Sequence, residues 1–169
     1  NDYVRKETYK ALRYDRPFSI IKLSIDNWLK LKKKFNQQTV LEAREHVVST
    51  LFDLLREADL IAKQSENEFL ILLPETDYFG SLMSIRRINK AISAKRYVTE
   101  GAESMPLGIL LTSATFPKDG SSLEALEEII ERRTERNRAS VYYKFDLHNV
   151  PFWDAAEKFI GDAGDYDLG

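Results

Sequence analysis

Apolar residues recur along the chain with two alternating spacings, separated by clear breaks. Residues 2–14 set Tyr, Val and Leu among charges and read as a helix. Asp15-Arg16-Pro17 ends it. Phe18–Ile25 is rich in β-branched residues and reads as a buried strand. Trp28, Leu31 and Phe35 then fall three and four apart, the spacing of one helical face, with Lys30, Lys32, Lys33 and Lys34 interleaved. A longer helix is expected over about 39–57, with Val40, Ala43, Val47, Leu51, Leu54 and Leu55 as its apolar side.

Two short runs follow, Leu60–Gln64 and Glu68–Leu73, separated only by Ser65-Glu66-Asn67. Strands joined so closely must be antiparallel, and Asn67 can take the left-handed conformation that such hairpin turns need. Pro74 closes the second strand, and Thr76 or Asp77 is placed to cap a helix running to about 95. Its stripe is Leu82, Ile85, Ile88 and Ile92. Residues 96–106 read as a loop and Leu107–Phe116 as a strand. Pro117–Ser122 is a turn whose Ser122 caps a helix over 123–135, and Val141–Phe145 reads as a last strand. Helices interleave with strands around a hairpin, so the expected fold is α+β: a ferredoxin-like sandwich with a mostly antiparallel central sheet and flanking helices.

Composition narrows the chemistry. At 169 residues, 43% hydrophobic and 31% charged, the chain has the make-up of one ordinary globular domain. A net charge of −2 gives no sign of a nucleic-acid partner or of membrane contact. The absence of cysteine removes disulfides, thiolate metal sites and cysteine nucleophiles. Two histidines far apart, His46 and His148, make no zinc site, and His46 reads as an exposed or half-buried helix residue. No apolar run reaches the roughly 18 residues of a membrane span, and no signal peptide is visible. A cytoplasmic location is expected. With Asn1 in first position the chain is expected to be a piece of a longer multidomain protein, with residues 1–148 as the domain and 149–169 as a partly mobile tail.

The hairpin also carries a resemblance. Ser65-Glu66-Asn67-Glu68-Phe69, with the strand that follows and the Pro74-Glu75-Thr76 exit, resembles the signature of GGDEF domains, the family of the diguanylate cyclases. Leu23-Ser24-Ile25-Asp26-Asn27-Trp28 resembles the family's Asp-Ile-Asp-x-Phe segment, and Arg132–Asn137 its closing Lys-x-x-Gly-Arg-Asn segment. The three lie in register over residues 1–146. The resemblance implies the palm sandwich of nucleotidyl cyclases and a chemistry that condenses two GTP molecules into cyclic di-GMP on two metal ions.

At the active-site positions the chain departs from the family. Magnesium needs hard anionic oxygens, yet Ser24 and Asn67 stand where the family has carboxylates. Glu68 and Asp26 remain. Ser65 and Glu66 replace the two glycines that let substrate approach the backbone. Lys32 and Leu41 align with the guanine-reading Asn and Asp, and Leu41 accepts no hydrogen bond. The resemblance therefore implies a degenerate cyclase with no catalytic residue set and no cofactor, magnesium being expected only with residual activity. Arg132 and Arg136 keep positive charge that would face phosphates.

A second motif of the family persists. Its inhibitory product site is an Arg-x-x-Asp ending five residues before the signature, matched here by Arg56-Glu57-Ala58-Asp59. Arg87 falls at the register of a further arginine and lies about 100° off its helix's apolar stripe, hence exposed. A guanidinium fork reads guanine O6 and N7 and stacks on a base, while a carboxylate accepts from the base's N–H edge. Lys10 or Arg13 of a neighbouring subunit is a candidate for one more cation. Plainer readings stand beside these. Arg56 and Asp59 suit a surface ion pair, the lysine run a solvated face, and Glu66 and Glu68 solvated turn carboxylates. Three functions remain open: a cyclic di-GMP receptor, a homodimerisation or signal-relay domain that binds no nucleotide, and a residual cyclase.

Overall fold

The computed structural model describes residues 2–98 and 104–144. Helix α1 (Asp2–Arg13) leads into strand β1 (Phe18–Ile25), with Asp15 in the left-handed region at φ 52° in the break between them. Helices α2 (Trp28–Lys34) and α3 (Gln37–Leu54) precede the hairpin of β2 (Leu60–Lys63) and β3 (Glu68–Pro74). Then come α4 (Tyr78–Ser93), the short strands β4 (Arg96–Val98) and β5 (Ser104–Pro106), β6 (Ile109–Phe116) and α5 (Leu123–Lys144).

Caps fix the helix starts. Asn36 Oδ1 accepts from the Thr39 N–H at 2.8 Å, so α3 begins two residues earlier than the apolar pattern suggests and ends at Leu54. Asp77 caps α4 through the Gly80 N–H at 2.8 Å, and Ser122 caps α5 through that of Ala125. Asn27 precedes α2 without capping it. Its side chain is taken up by the Pro106 carbonyl and the Gly108 N–H, which ties the start of α2 to the start of β6.

The main sheet has the order β2-β3-β1-β6, and every neighbouring pair is antiparallel. This is the expected ferredoxin-like α+β arrangement. Alternation along the strands divides the core in two. Ile21, Leu23 and Ile25 of β1, with Phe69, Ile71, Leu73, Ile109 and Leu111, pack under α2, α3 and α4. Phe18 and Ile20, with Leu72, Ala114 and Phe116, pack under α1 and α5.

Four expectations are corrected. Residues 96–106 are not wholly loop, because β4 and β5 pair antiparallel there. Residues 141–144 continue α5 rather than forming a strand, and Phe145 lies outside the described residues with His148 and the tail. The α4 stripe runs through Ser81, Ile85, Ile88 and Ile92; Leu82 is 38% exposed. Among the described residues the positive-φ residues other than glycine are Asp15 and Glu75, so Asn67 does not adopt the left-handed conformation. Among the described residues no helix is long and apolar enough to cross a membrane.

Candidate functional site

Antiparallel pairing sets Ser24 directly opposite Glu68, on the sheet face covered by α5. That face is apolar at Phe18 and Ile20 and turns polar at Lys22 and Ser24, two positions further along β1. Ser24 Oγ donates to Glu68 Oε1 at 3.0 Å. Lys22 Nζ lies 3.5 Å from the same oxygen and donates to Glu131 Oε1 of α5 at 2.7 Å. Asp26, just past the strand, has a side chain only 6% exposed, gripped by Arg138 of α5. The Arg138 Nε and a terminal nitrogen donate to Asp26 Oδ1 at 2.9 and 2.8 Å.

The hairpin tip is stitched to its neighbours. Asn67 Nδ2 donates to the Ile25 carbonyl at 3.1 Å, and the Ile25 N–H donates to the Asn67 carbonyl at 2.8 Å. Ser65 Oγ donates to Asn67 Oδ1. Glu66 accepts from Lys32 Nζ at 2.8 Å and from Trp28 Nε1 at 3.4 Å, so the tip leans on α2. Those two hydrogen bonds, Lys32 first, hold the Glu66 carboxyl below its ordinary range. Leu41 stands on α3, partly exposed.

The sequence singled out Ser24, Lys32, Ser65, Glu66, Asn67 and Glu68, and the structure places them around the hairpin beside Asp26 in separate contacts: Ser24 with Glu68, Lys32 with Glu66, and Ser65 with Asn67. It did not reveal Lys22 and Glu131, which add to the Ser24–Glu68 contact, or Arg138, which grips Asp26. Arg132 is exposed and lies 3.9 Å from Glu128. It and Arg136 sit about 100° or more around α5 from the Glu131–Arg138 line. The α5 cation that meets a site carboxylate is Arg138.

Divalent-metal chemistry fits these residues poorly. Two ligand positions are neutral, and the remaining carboxylates are already engaged by the chain's own ammonium and guanidinium groups. Among the described residues no group of three His, Cys, Asp or Glu side chains is arranged to hold a metal.

The second candidate site lies where α3 ends. Arg56–Asp59 form a turn closed from both sides: the Asp59 N–H donates to the Arg56 carbonyl at 3.0 Å, and the Arg56 N–H to Asp59 Oδ2 at 2.8 Å. The side-chain ion pair that the spacing suits is thus replaced by a bond to the backbone, which leaves the exposed Arg56 guanidinium turned outward. Arg87 is exposed on α4, as expected. Leu54 and Leu55, beside Arg56, share one apolar cluster with Ile85 and Ile88, which flank Arg87. On α1, Lys10 pairs with Glu7 and Arg13 lies over the Tyr14 ring. His46 is half-buried, as expected; burial, then the nearby Lys95 charge, lower its pKa against an opposing Ile92 backbone bond.

Known proteins share this fold. The family model for the diguanylate cyclase GGDEF domain matches residues 1–141. The diguanylate cyclase DosC of Escherichia coli K12 is 22% identical over 143 residues. The match covers 82% of this chain but 31% of that protein, so the chain spans under a third of the relative's length. The GGDEF domain of DgcB from Caulobacter crescentus, solved in complex with cyclic di-GMP, superposes with a TM-score of 0.68 at 14% identity, covering 82% of each chain. The active GGEEF domain of a Vibrio cholerae diguanylate cyclase gives 0.72 at 14% identity, covering 82% of this chain and 87% of that one. At such identities the structural likenesses establish the fold, and the family model, which spans most of the chain, establishes the rest: the chain belongs to the GGDEF domain family of the diguanylate cyclases.

Proposed function

We propose that this domain is a catalytically inactive GGDEF domain that acts as a cyclic di-GMP receptor through Arg56, Asp59 and Arg87. The observation that carries the reading is the Arg56–Asp59 turn. Its backbone bonds hold the carboxylate in place while the Arg56 guanidinium engages no described residue. Arg87 is in the same condition. Two unengaged forks and an anchored carboxylate suit a guanine edge and the phosphates attached to it. The Caulobacter relative, solved with the same ligand, supports the choice of nucleotide.

Inactivity is supported by the network at the hairpin. Ser24 and Asn67 supply no anion, and Glu68 and Asp26 are held by Lys22 and Arg138. Incubation with GTP and Mg²⁺ or Mn²⁺ is expected to yield no cyclic di-GMP, and formation of product defeats this half of the reading.

Calorimetric titration with cyclic di-GMP, with GTP as control, tests the other half. Binding is expected for the dinucleotide alone. Arg56→Ala is the cleaner variant, because the turn uses the Arg56 backbone and survives the change. Heat from the wild type that persists undiminished in Arg56→Ala, or no heat at all, rejects the receptor. A relay or dimerisation domain is the second reading, favoured by Phe79 and Met83, which stand one turn apart on α4 and are 72% and 65% exposed. It predicts self-association that weakens in Phe79→Ser and does not respond to nucleotide.

A further inference from the structure

Three elements converge on one nitrogen atom. Lys22 Nζ of β1 lies 2.7 Å from Glu131 Oε1 of α5 and 3.5 Å from Glu68 Oε1 of β3. The hydroxyl of Ser24 donates to that same Glu68 oxygen. Thr112, opposite Lys22 in the β1–β6 register, buries its Oγ1 without a hydrogen-bond partner. The Lys22 side chain is only 12% exposed, and an ammonium so far from water needs anions against it.

Phosphoryl-transfer chemistry would require a divalent cation on the hard oxygens at this end of the sheet. Here two carboxylate oxygens already face a cation that is covalently part of the chain. We propose that Lys22 is a built-in counter-ion: its ammonium takes the space and the charge balance that a divalent ion needs beside Glu68 and Glu131. The same contacts tie α5 down onto β1 and β3. Glu131 and Arg138 are seven residues apart, about two turns, so the Lys22 and Asp26 pairs clamp one face of the helix at two points. The inference rests on the inactive reading and names the residue that excludes the metal. Two neutral substitutions, at Ser24 and Asn67, lower affinity for a divalent ion; a fixed positive charge in its place opposes binding outright.

The test titrates Mn²⁺ into the folded wild type, Lys22→Met and Lys22→Arg. Free-ion paramagnetic resonance reads the affinity, and line broadening of the Glu68 and Glu131 backbone amides reads the place. Lys22→Met is expected to bind at least tenfold more tightly than the wild type, with broadening centred on those two residues. Lys22→Arg, which keeps the cation, is expected to stay at the wild-type level. A folded Lys22→Met with no gain overturns the proposal. So does a wild type whose Glu68 and Glu131 amides are already broadened by equimolar Mn²⁺, a result that needs no variant to fold. Should Lys22→Met fail to fold, Lys22→Gln takes its place under the same outcomes. Cyclic di-GMP formed from GTP by the wild type would instead remove the inactive reading, so the two failures are distinguishable.

Discussion

At Asp119, burial and charge pull in opposite directions. Burial alone raises its carboxyl. The Arg133 guanidinium at 2.7 and 3.0 Å and the Thr115 N–H at 2.8 Å outweigh it, helped by the Lys118 charge, and hold the group below its ordinary value. A carboxyl depressed in the folded state contributes stability above its unfolded pKa, about 3.9, and loses it as pH falls through the folded value. Asp119→Asn is therefore expected to cost about 1–3 kcal/mol near neutrality. The gap from the wild type should close as urea midpoints are taken from pH 6 down to pH 2; a gap that stays constant refutes the assignment. Asn67 gives a second case. Its amide donates to the Ile25 carbonyl, so Asn67→Asp, which puts back the family's carboxylate, sets an acceptor against an acceptor. We expect it to lower stability by about 1–2 kcal/mol in chemical denaturation, without producing activity. Asn67 was readable in the sequence as a departure from the family and Asp26 as a retained carboxylate, but neither Asp119 nor the partners of any of these residues were. Glu131 is 109 positions from Lys22, and Arg138 is 112 from Asp26; no periodicity along the chain joins residues so distant.

Elements were legible where period and length agreed. The run Phe18–Ile25 and the spacing of Val40, Ala43, Val47 and Leu51 mark β1 and α3 because one side of each must face the core. Reading failed where composition and environment diverge. Val141-Tyr142-Tyr143 is β-branched and aromatic and suits a strand, yet it continues a helix begun eighteen residues earlier, at Leu123. The pair β4 and β5 spans three residues on each side, too short to leave a period. On α4 the buried position is Ser81, not Leu82. Fully buried, its hydroxyl donates to the Tyr78 carbonyl and meets Ser113 Oγ at 3.3 Å. Opposite outcomes follow at adjacent positions. Leu82→Lys should change stability by less than about 0.5 kcal/mol, whereas Ser81→Leu should cost about 1–3 kcal/mol through overpacking. Thermal unfolding of the two variants checks this, and the reverse order would mean that the helix is rotated by about 100° from the orientation described.

Across the whole molecule, two centres of polar chemistry share one sheet and its helices but not one fate. At the β1–β3 end, residues that would bind metal and nucleotide are paired with one another and with α5. At the end of α3, the Arg56 turn spends only its backbone and one carboxylate oxygen on itself and leaves its guanidinium outward. Internal pairing of the first kind stabilises the fold whether or not a ligand is present; outward groups of the second kind gain partners only when one binds. A ligand that binds the folded state alone must therefore raise stability by linkage, by about 2.7 kcal/mol at a hundred times its dissociation constant. Saturating cyclic di-GMP is expected to raise the thermal midpoint of the wild type accordingly. Arg56→Ala should unfold at nearly the same temperature as the ligand-free wild type, since it deletes a side chain that supports nothing internal, and should show no upward shift with ligand. Lys22→Met should show the converse: a lower midpoint without ligand, because it leaves Glu131 and Glu68 without their cation, and an undiminished shift with it. A wild-type midpoint indifferent to cyclic di-GMP would reject the receptor, whereas a shift abolished by Lys22→Met and kept by Arg56→Ala would place the nucleotide site at the hairpin after all.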